Sequence, residues 1–130
     1  KQAQTRFDVL EYFPRYGHAL LQCEPLTGRT HQIRVHASHV GLKMVGDELY
    51  GGKPLWLSLL KKDYRLKPGR EERPLISRAA VHLEQLTLPH PVTGGSLTIT
   101  AECPKDLKVA LKYLRLYATA GKTPPPDDYQ

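Results

Sequence analysis

The sequence predicts an α+β domain, a mixed and mainly antiparallel sheet flanked by helices. Two pairs of short β-leaning runs, each joined by a turn block, supply antiparallel strands. Two stretches with a helical apolar period supply the helices. At 130 residues the chain is one domain or a large piece of one, long enough to bury a core.

Thr5–Phe13 and His18–Pro25 form the first pair. Between them Pro14 presets a turn and Gly17 permits positive φ, so the two runs fold back as a hairpin. Over Thr30–Val40 the apolar residues Ile33, Ala37 and Val40 recur at i, i+4 and i+7 and mark a core-facing helical stripe. Thr30 suits the N-cap of this helix and Gly41 its C′ position. His31, Arg34 and Ser38 line a second face, while Gln32, His36 and His39 line a third. Lys43–Gly52 is a short extended piece and a glycine-rich turn, and Pro54–Lys62 a short helix with proline in its first turn. Asp63–Pro74 is a charged loop. Ser77–Pro89 and Ser96–Pro104 alternate apolar and polar residues as a second strand pair. Lys105–Tyr117 is an amphipathic helix with Leu107, Ala110 or Leu111, and Leu114 inward. Residues 118–130 are expected to be a flexible proline-rich tail.

Nineteen Lys and Arg against thirteen Asp and Glu give a formal charge of +6. That balance suits either a polyanionic partner, nucleic acid being the commonest, or a basic surface kept for solubility. No run approaches the ~18 consecutive apolar residues of a membrane span, and the N-terminus lacks the apolar core of a signal peptide. Without an initiator Met, the chain is expected to be a fragment or a processed product. Cys23 and Cys103 form no C-x-x-C and fit small buried hydrophobes in a reducing cytoplasm.

The chemistry concentrates between Arg29 and His39, where two arginines and three histidines alternate with apolar residues. His36 and His39 are helical neighbours, but H-E-x-x-H is absent and the helix holds no carboxylate, so no metal site is expected. There is no G-x-S-x-G elbow for a nucleophilic serine and no G-x-x-x-x-G-K-[ST] loop for nucleotide hydrolysis. Gly28-Arg29-Thr30 stands where a helix start offers free N–H groups, and Arg29 adds a planar fork suited to phosphate. Arg34 sits one turn into the helix between Ile33 and Val35, where a half-buried guanidinium needs a carboxylate. That partner is either structural, pinning the helix to a neighbour, or a catalytic carboxylate held ionised by the arginine.

The run Thr27-Gly28-Arg29-Thr30-His31-Gln32-Ile33-Arg34-Val35-His36, followed by Gly46-Asp47 and Tyr50-Gly51, closely resembles the C-terminal signature of RluA-type RNA pseudouridine synthases. The later strand, H-P-x-T-G turn, strand and P-x-D-L helix are similar to that family too, so the likeness runs to about Tyr117. The resemblance implies the C-terminal half of a catalytic domain that isomerises specific uridines in ribosomal or transfer RNA to pseudouridine, without cofactor or metal, in the cytoplasm. The target nucleotide must first leave its stack. By resemblance, Arg34 pairs with the catalytic aspartate; Arg29, Thr30, His31 and Gln32 face RNA; and Met44 or Val45 contacts the base, while Lys43 is expected to extend the cationic RNA surface. The family's aspartate motif, of the H-R-L-D type, does not occur in these 130 residues, so the nucleophile is expected upstream and the chain alone is expected to be inactive. Asp47 is expected to be structural. The alternative is a non-catalytic RNA-binding module that retains this half of the fold. An isolated half is also expected to self-associate through the edge and apolar face its missing part would cover.

Overall fold

A computed structural model describes residues 2–119. Over the described residues the fold is α+β, built from two antiparallel hairpins and three α-helices. Strands β1 (Thr5–Phe13) and β2 (His18–Pro25) pair from Thr5↔Pro25 to Phe13↔His18, with an irregularity between Val9 and Glu11. Gly17 takes φ 76° in the connecting turn, the positive φ expected there. Helix α1 (Gln32–His39) packs against both strands, and a 3-10 turn at Glu48–Tyr50 packs against α1. Next come the short helix α2 (Leu57–Leu60), strands β3 (Gln85–Pro89) and β4 (Ser96–Thr100), and helix α3 (Lys105–Tyr117). The strands form two separate two-stranded sheets.

The core lies at the turn end of the first hairpin. Phe13, Leu55, Leu60, Ile76, Ala110, Leu114 and Ala118 are buried together there. Ala110 and Leu114 are the inward stripe of α3, with Leu107 and Leu111 partly buried beside it, as the helical period requires. Two links staple α3 to the hairpin: the Arg15 amide donates to the Ala118 carbonyl at 3.0 Å, and Arg115 forks onto Glu11. That ion pair is largely exposed and such pairs contribute only about 0.2–1 kcal/mol, so the apolar cluster holds α3 in place. Ala118 thus belongs to the core, while residues 120–130 of the expected tail lie outside the described residues.

Several boundaries differ from the sequence expectation: α2 covers Leu57–Leu60 rather than Pro54–Lys62, and β4 ends at Thr100 rather than Pro104. Helix α1 starts at Gln32, one residue later than a Thr30 N-cap would set it, because His31 takes a left-handed conformation (φ 52°, ψ 27°) as N-cap; Thr30 does not cap. Val40 is 60% exposed and leaves the buried stripe. Residues 77–84 alternate like a strand, yet only Gln85–Pro89 pairs. Tertiary bonds take the upstream segment instead: the Ala80 amide donates to the Val45 carbonyl at 2.8 Å. Arg78 also binds the Ala79 and Val81 carbonyls while forking onto Asp106.

His18, opposite Phe13 in the hairpin, has a buried Nδ1 with no hydrogen-bond partner. Burial pushes its pKa below the ordinary 6.5. The folded state therefore takes up this proton less readily than the unfolded chain does. Stability is full above pH 6.5 and falls as pH drops from there through the folded-state pKa. Urea unfolding at pH 8 and pH 5 should show a smaller acid-side loss for His18→Gln than for the parent chain; equal losses would remove His18 as the cause.

Candidate nucleic-acid interface and its arginine centre

The segment from Thr27 to Gly52 wraps a short helix with a loop on each side. Three backbone and side-chain layers fix it. On the first, Gln32 is 6% exposed and its amide is fully engaged. Its Oε1 accepts from Thr27 Oγ1 at 2.6 Å and from the Arg29 amide at 3.0 Å. Its Nε2 donates to the Gln4 carbonyl at 2.6 Å and to Thr5 Oγ1 at 2.9 Å. His36, one turn on, meets the same Thr5 hydroxyl through Nδ1 at 2.7 Å. A buried amide that lacked these partners would cost about 1–3 kcal/mol per orphaned group. Gln32 therefore ties α1 to β1, and the structure puts it inside where the sequence expectation faces it to RNA. The Arg29 amide, expected to point outward at a phosphate, is spent on Gln32.

The second layer is the loop after α1. The Gly46 amide donates to the Lys53 carbonyl, Asp47 to Met44 and Gly52 to Asp47, closing residues 44–53 on themselves. At Gly46 (φ 77°) a Cβ would stand 2.1 Å from the Arg78 carbonyl oxygen, and at Gly52 one would stand 1.8 Å from that of Met44. Only glycine permits both approaches. Val45, a candidate base contact, packs against the core instead; Met44, the other, is half-buried.

The third layer joins loop to helix. Asp47 is 2% exposed and accepts a forked pair from Arg34, Nε to Oδ2 at 2.9 Å and Nη2 to Oδ1 at 2.7 Å. The residues alone leave Arg34's carboxylate either structural or catalytic, and the resemblance implies a catalytic one outside the chain; the structure supplies a structural partner inside it, thirteen residues downstream. These hydrogen bonds hold the Asp47 carboxyl below the usual carboxylate range against the opposing effect of burial, and Asp47 in turn raises the Arg34 pKa. The Arg34 Cζ lies 5.1 Å from the centre of the Tyr50 ring, and Tyr50 OH meets His31 Nδ1 at 3.0 Å. Asp47, expected to be structural, is the buried partner of this centre, and Tyr50 is the contributor that has no role assigned from the sequence. Their signal was present in the G-D-x-x-Y-G turn, whose aspartate and tyrosine sit three apart.

Arg29, Thr30, His31 and Lys43 are exposed around this centre, a cationic rim suited to phosphate contact. Among the described residues no three His, Cys, Asp or Glu side chains converge as a metal cluster.

With that geometry in view, comparison with known proteins is informative. The family model described as RNA pseudouridylate synthase matches residues 1–39. The chain is 40% identical over 119 residues to RNA pseudouridine synthase 2, chloroplastic, of Arabidopsis thaliana, covering 88% of this chain and 28% of that protein. This chain is related to RNA pseudouridine synthases. It is also 38% identical over 119 residues to ribosomal large subunit pseudouridine synthase D of Pseudomonas aeruginosa, covering 88% of this chain and 34% of the relative. An uncharacterized RNA pseudouridine synthase of Chlorobaculum parvum is 36% identical over 124 residues, 95% of this chain and 36% of its own length. The chain thus spans about a third of the length of these curated relatives.

Removing Arg34 alone strands a buried carboxylate, whereas removing both partners does not. Arg34→Ala should therefore be less stable to urea than Arg34→Ala/Asp47→Asn, and the single variant's Asp47 should titrate at higher pH. If the double variant were the less stable, the pair would not be coupled as the geometry requires.

Proposed function

We propose that residues 1–117 are the C-terminal part of the catalytic domain of an RNA pseudouridine synthase, and that the whole protein converts specific uridines in structured RNA to pseudouridine. The observation that carries this is the identity of 36–40% to named synthases across 88–95% of the chain, with the arginine-histidine block placed around one oriented guanidinium. Ribosomal RNA is the favoured target, since the Pseudomonas and Haemophilus relatives are named for the large ribosomal subunit. The compartment proposed is the cytoplasm, by analogy with the bacterial relatives named for the large ribosomal subunit.

In this reaction the bond from C1′ to N1 breaks, the uracil turns, C1′ joins C5, the C5 proton is lost to solvent and N1 takes up a proton, so the product is an isomer of the substrate. The chemistry needs no external oxidant, reductant or metal. The nucleophilic aspartate would lie upstream of Lys1. Arg34 would hold that aspartate ionised through donors that Asp47 leaves unused, since an adjacent cation favours the charged carboxylate. Arg29, Thr30, His31 and Lys43 would hold the RNA backbone beside it.

One observation favours a second reading. Arg34 already has its carboxylate within the chain, which is what a purely structural arginine in an RNA-binding module would show. Full-length protein separates the two. Under the synthase reading it releases tritium from RNA labelled at uridine C5, and Arg34→Ala lowers the rate at least about a hundredfold while RNA binding stays within a few-fold. Folded Arg34→Ala with the parent rate would remove Arg34 from the reaction.

Arg29 gives a separate expectation under both readings. If its guanidinium contacts phosphate, RNA affinity falls steeply with salt, and Arg29→Ala lowers the slope of log K against log salt by about one. An unchanged slope would place the RNA elsewhere.

A further inference from the structure

One residue of the loop reads three successive positions on a single face of α1. The Tyr50 hydroxyl meets His31 Nδ1 at 3.0 Å, its ring lies under the Arg34 guanidinium with Cζ at 5.1 Å, and its carbonyl accepts from Ser38 Oγ at 3.2 Å. Positions 31, 34 and 38 stack along one helical stripe. The His31 and Tyr50 rings also meet edge-on, with centres 5.8 Å apart.

Asp47 and Tyr50 constrain Arg34 in different directions. The forked bonds to Asp47 fix the in-plane position of the guanidinium. They leave it free to hinge about the line through the two carboxylate oxygens. An aromatic face beneath a planar cation opposes that hinge by stacking and by cation–π attraction. The tyrosine is itself held at both ends, by His31 through its hydroxyl and by Ser38 through its carbonyl. Gly52 and Gly46, with no room for a Cβ, let the carrying loop close tightly against the Met44 and Arg78 carbonyls.

We propose that Tyr50 is a positioning residue for Arg34: its ring sets the tilt of the guanidinium that Asp47 anchors, so that the outer N–H edge points in one fixed direction. Resting on the synthase reading, this names the group that aims the arginine at the reacting aspartate. Tyr50 touches neither substrate nor nucleophile in this role. It acts through Arg34 alone.

The test uses the full-length protein with Tyr50→Leu, which removes the ring, and Tyr50→Phe, which removes only the tie to His31. Tyr50→Leu should lower kcat for tritium release by about ten- to a hundredfold, as misaimed groups do, with KM within about twofold. Tyr50→Phe should recover most of that loss. In nitrogen-labelled protein the Arg34 Nε–H should exchange with water at least about tenfold faster in Tyr50→Leu than in Tyr50→Phe. If Tyr50→Leu fails to fold, Tyr50→Met carries the same comparison. Parent-like kcat with parent-like Arg34 protection in the ring-less variant overturns the proposal. So does an equal loss in the Phe and Leu variants. A parent protein that releases no tritium overturns the synthase reading instead, and Tyr50-dependent protection of Arg34 would still sustain the positioning role.

Discussion

A carboxylate cannot be buried without a partner, and Asp47 is buried. This requirement organises the centre of the molecule. The aspartate sits in a loop whose backbone closes on itself, so it cannot travel to find a cation. The cation must come to it. Arg34 does so from one turn into α1 with a fork matched to the carboxylate plane. A lysine would offer one point charge and no such alignment. The pair therefore fixes both the distance between helix and loop and the plane of the guanidinium, and every other contact across this boundary builds on that frame.

The opposite side of α1 answers a different need. Gln32 and His36 turn toward β1 and share the Thr5 hydroxyl. The helix is eight residues long, too short to be stable by itself, and it has a left-handed N-cap without a side-chain cap. Non-glycine residues in that conformation cost on the order of 1–3 kcal/mol unless their surroundings hold them. Here the Gln32 network grips the residue after His31, and Tyr50 grips the His31 ring. Tertiary bonds on two faces thus replace the capping that the local sequence does not provide, and the strained residue stands at the exposed rim beside Arg29 and Thr30.

Legibility in the sequence follows the range of the deciding interaction. The first hairpin and α3 fall at their expected residues because a turn with Pro14 and Gly17, and a stripe of Leu107, Ala110 and Leu114, are local signals. The grouping of His31, Arg34 and Ser38 on one face also survives, since helical spacing alone dictates it. What local pattern could not show is which partner each face meets. Gln32 looks like a surface residue until the Gln4 carbonyl and Thr5 are brought to it from the first strand. Residues 77–84 alternate convincingly, but Arg78 and Ala80 bond to segments far away in sequence, and those bonds displace the ladder. Asp47 could be assigned to a turn from its glycine neighbours, yet its burial against Arg34 brings together residues thirteen apart that no local pattern links.

The internal partner also bears on what Arg34 can do for a reaction. Asp47 takes the edge formed by Nε and one Nη2 hydrogen. A guanidinium carries further donors on its outer edge, which lie in the same plane. Occupying one edge with a buried aspartate removes the arginine's rotational freedom in advance, so a second oxyanion meets donors already aligned and pays little ordering entropy on arrival. A free arginine at the same place would have to be ordered by the very group it is meant to orient. A structural role for Arg34 and the catalytic one proposed for it are therefore compatible as successive uses of one side chain: the bond pair to Asp47 would make the second edge a directed one.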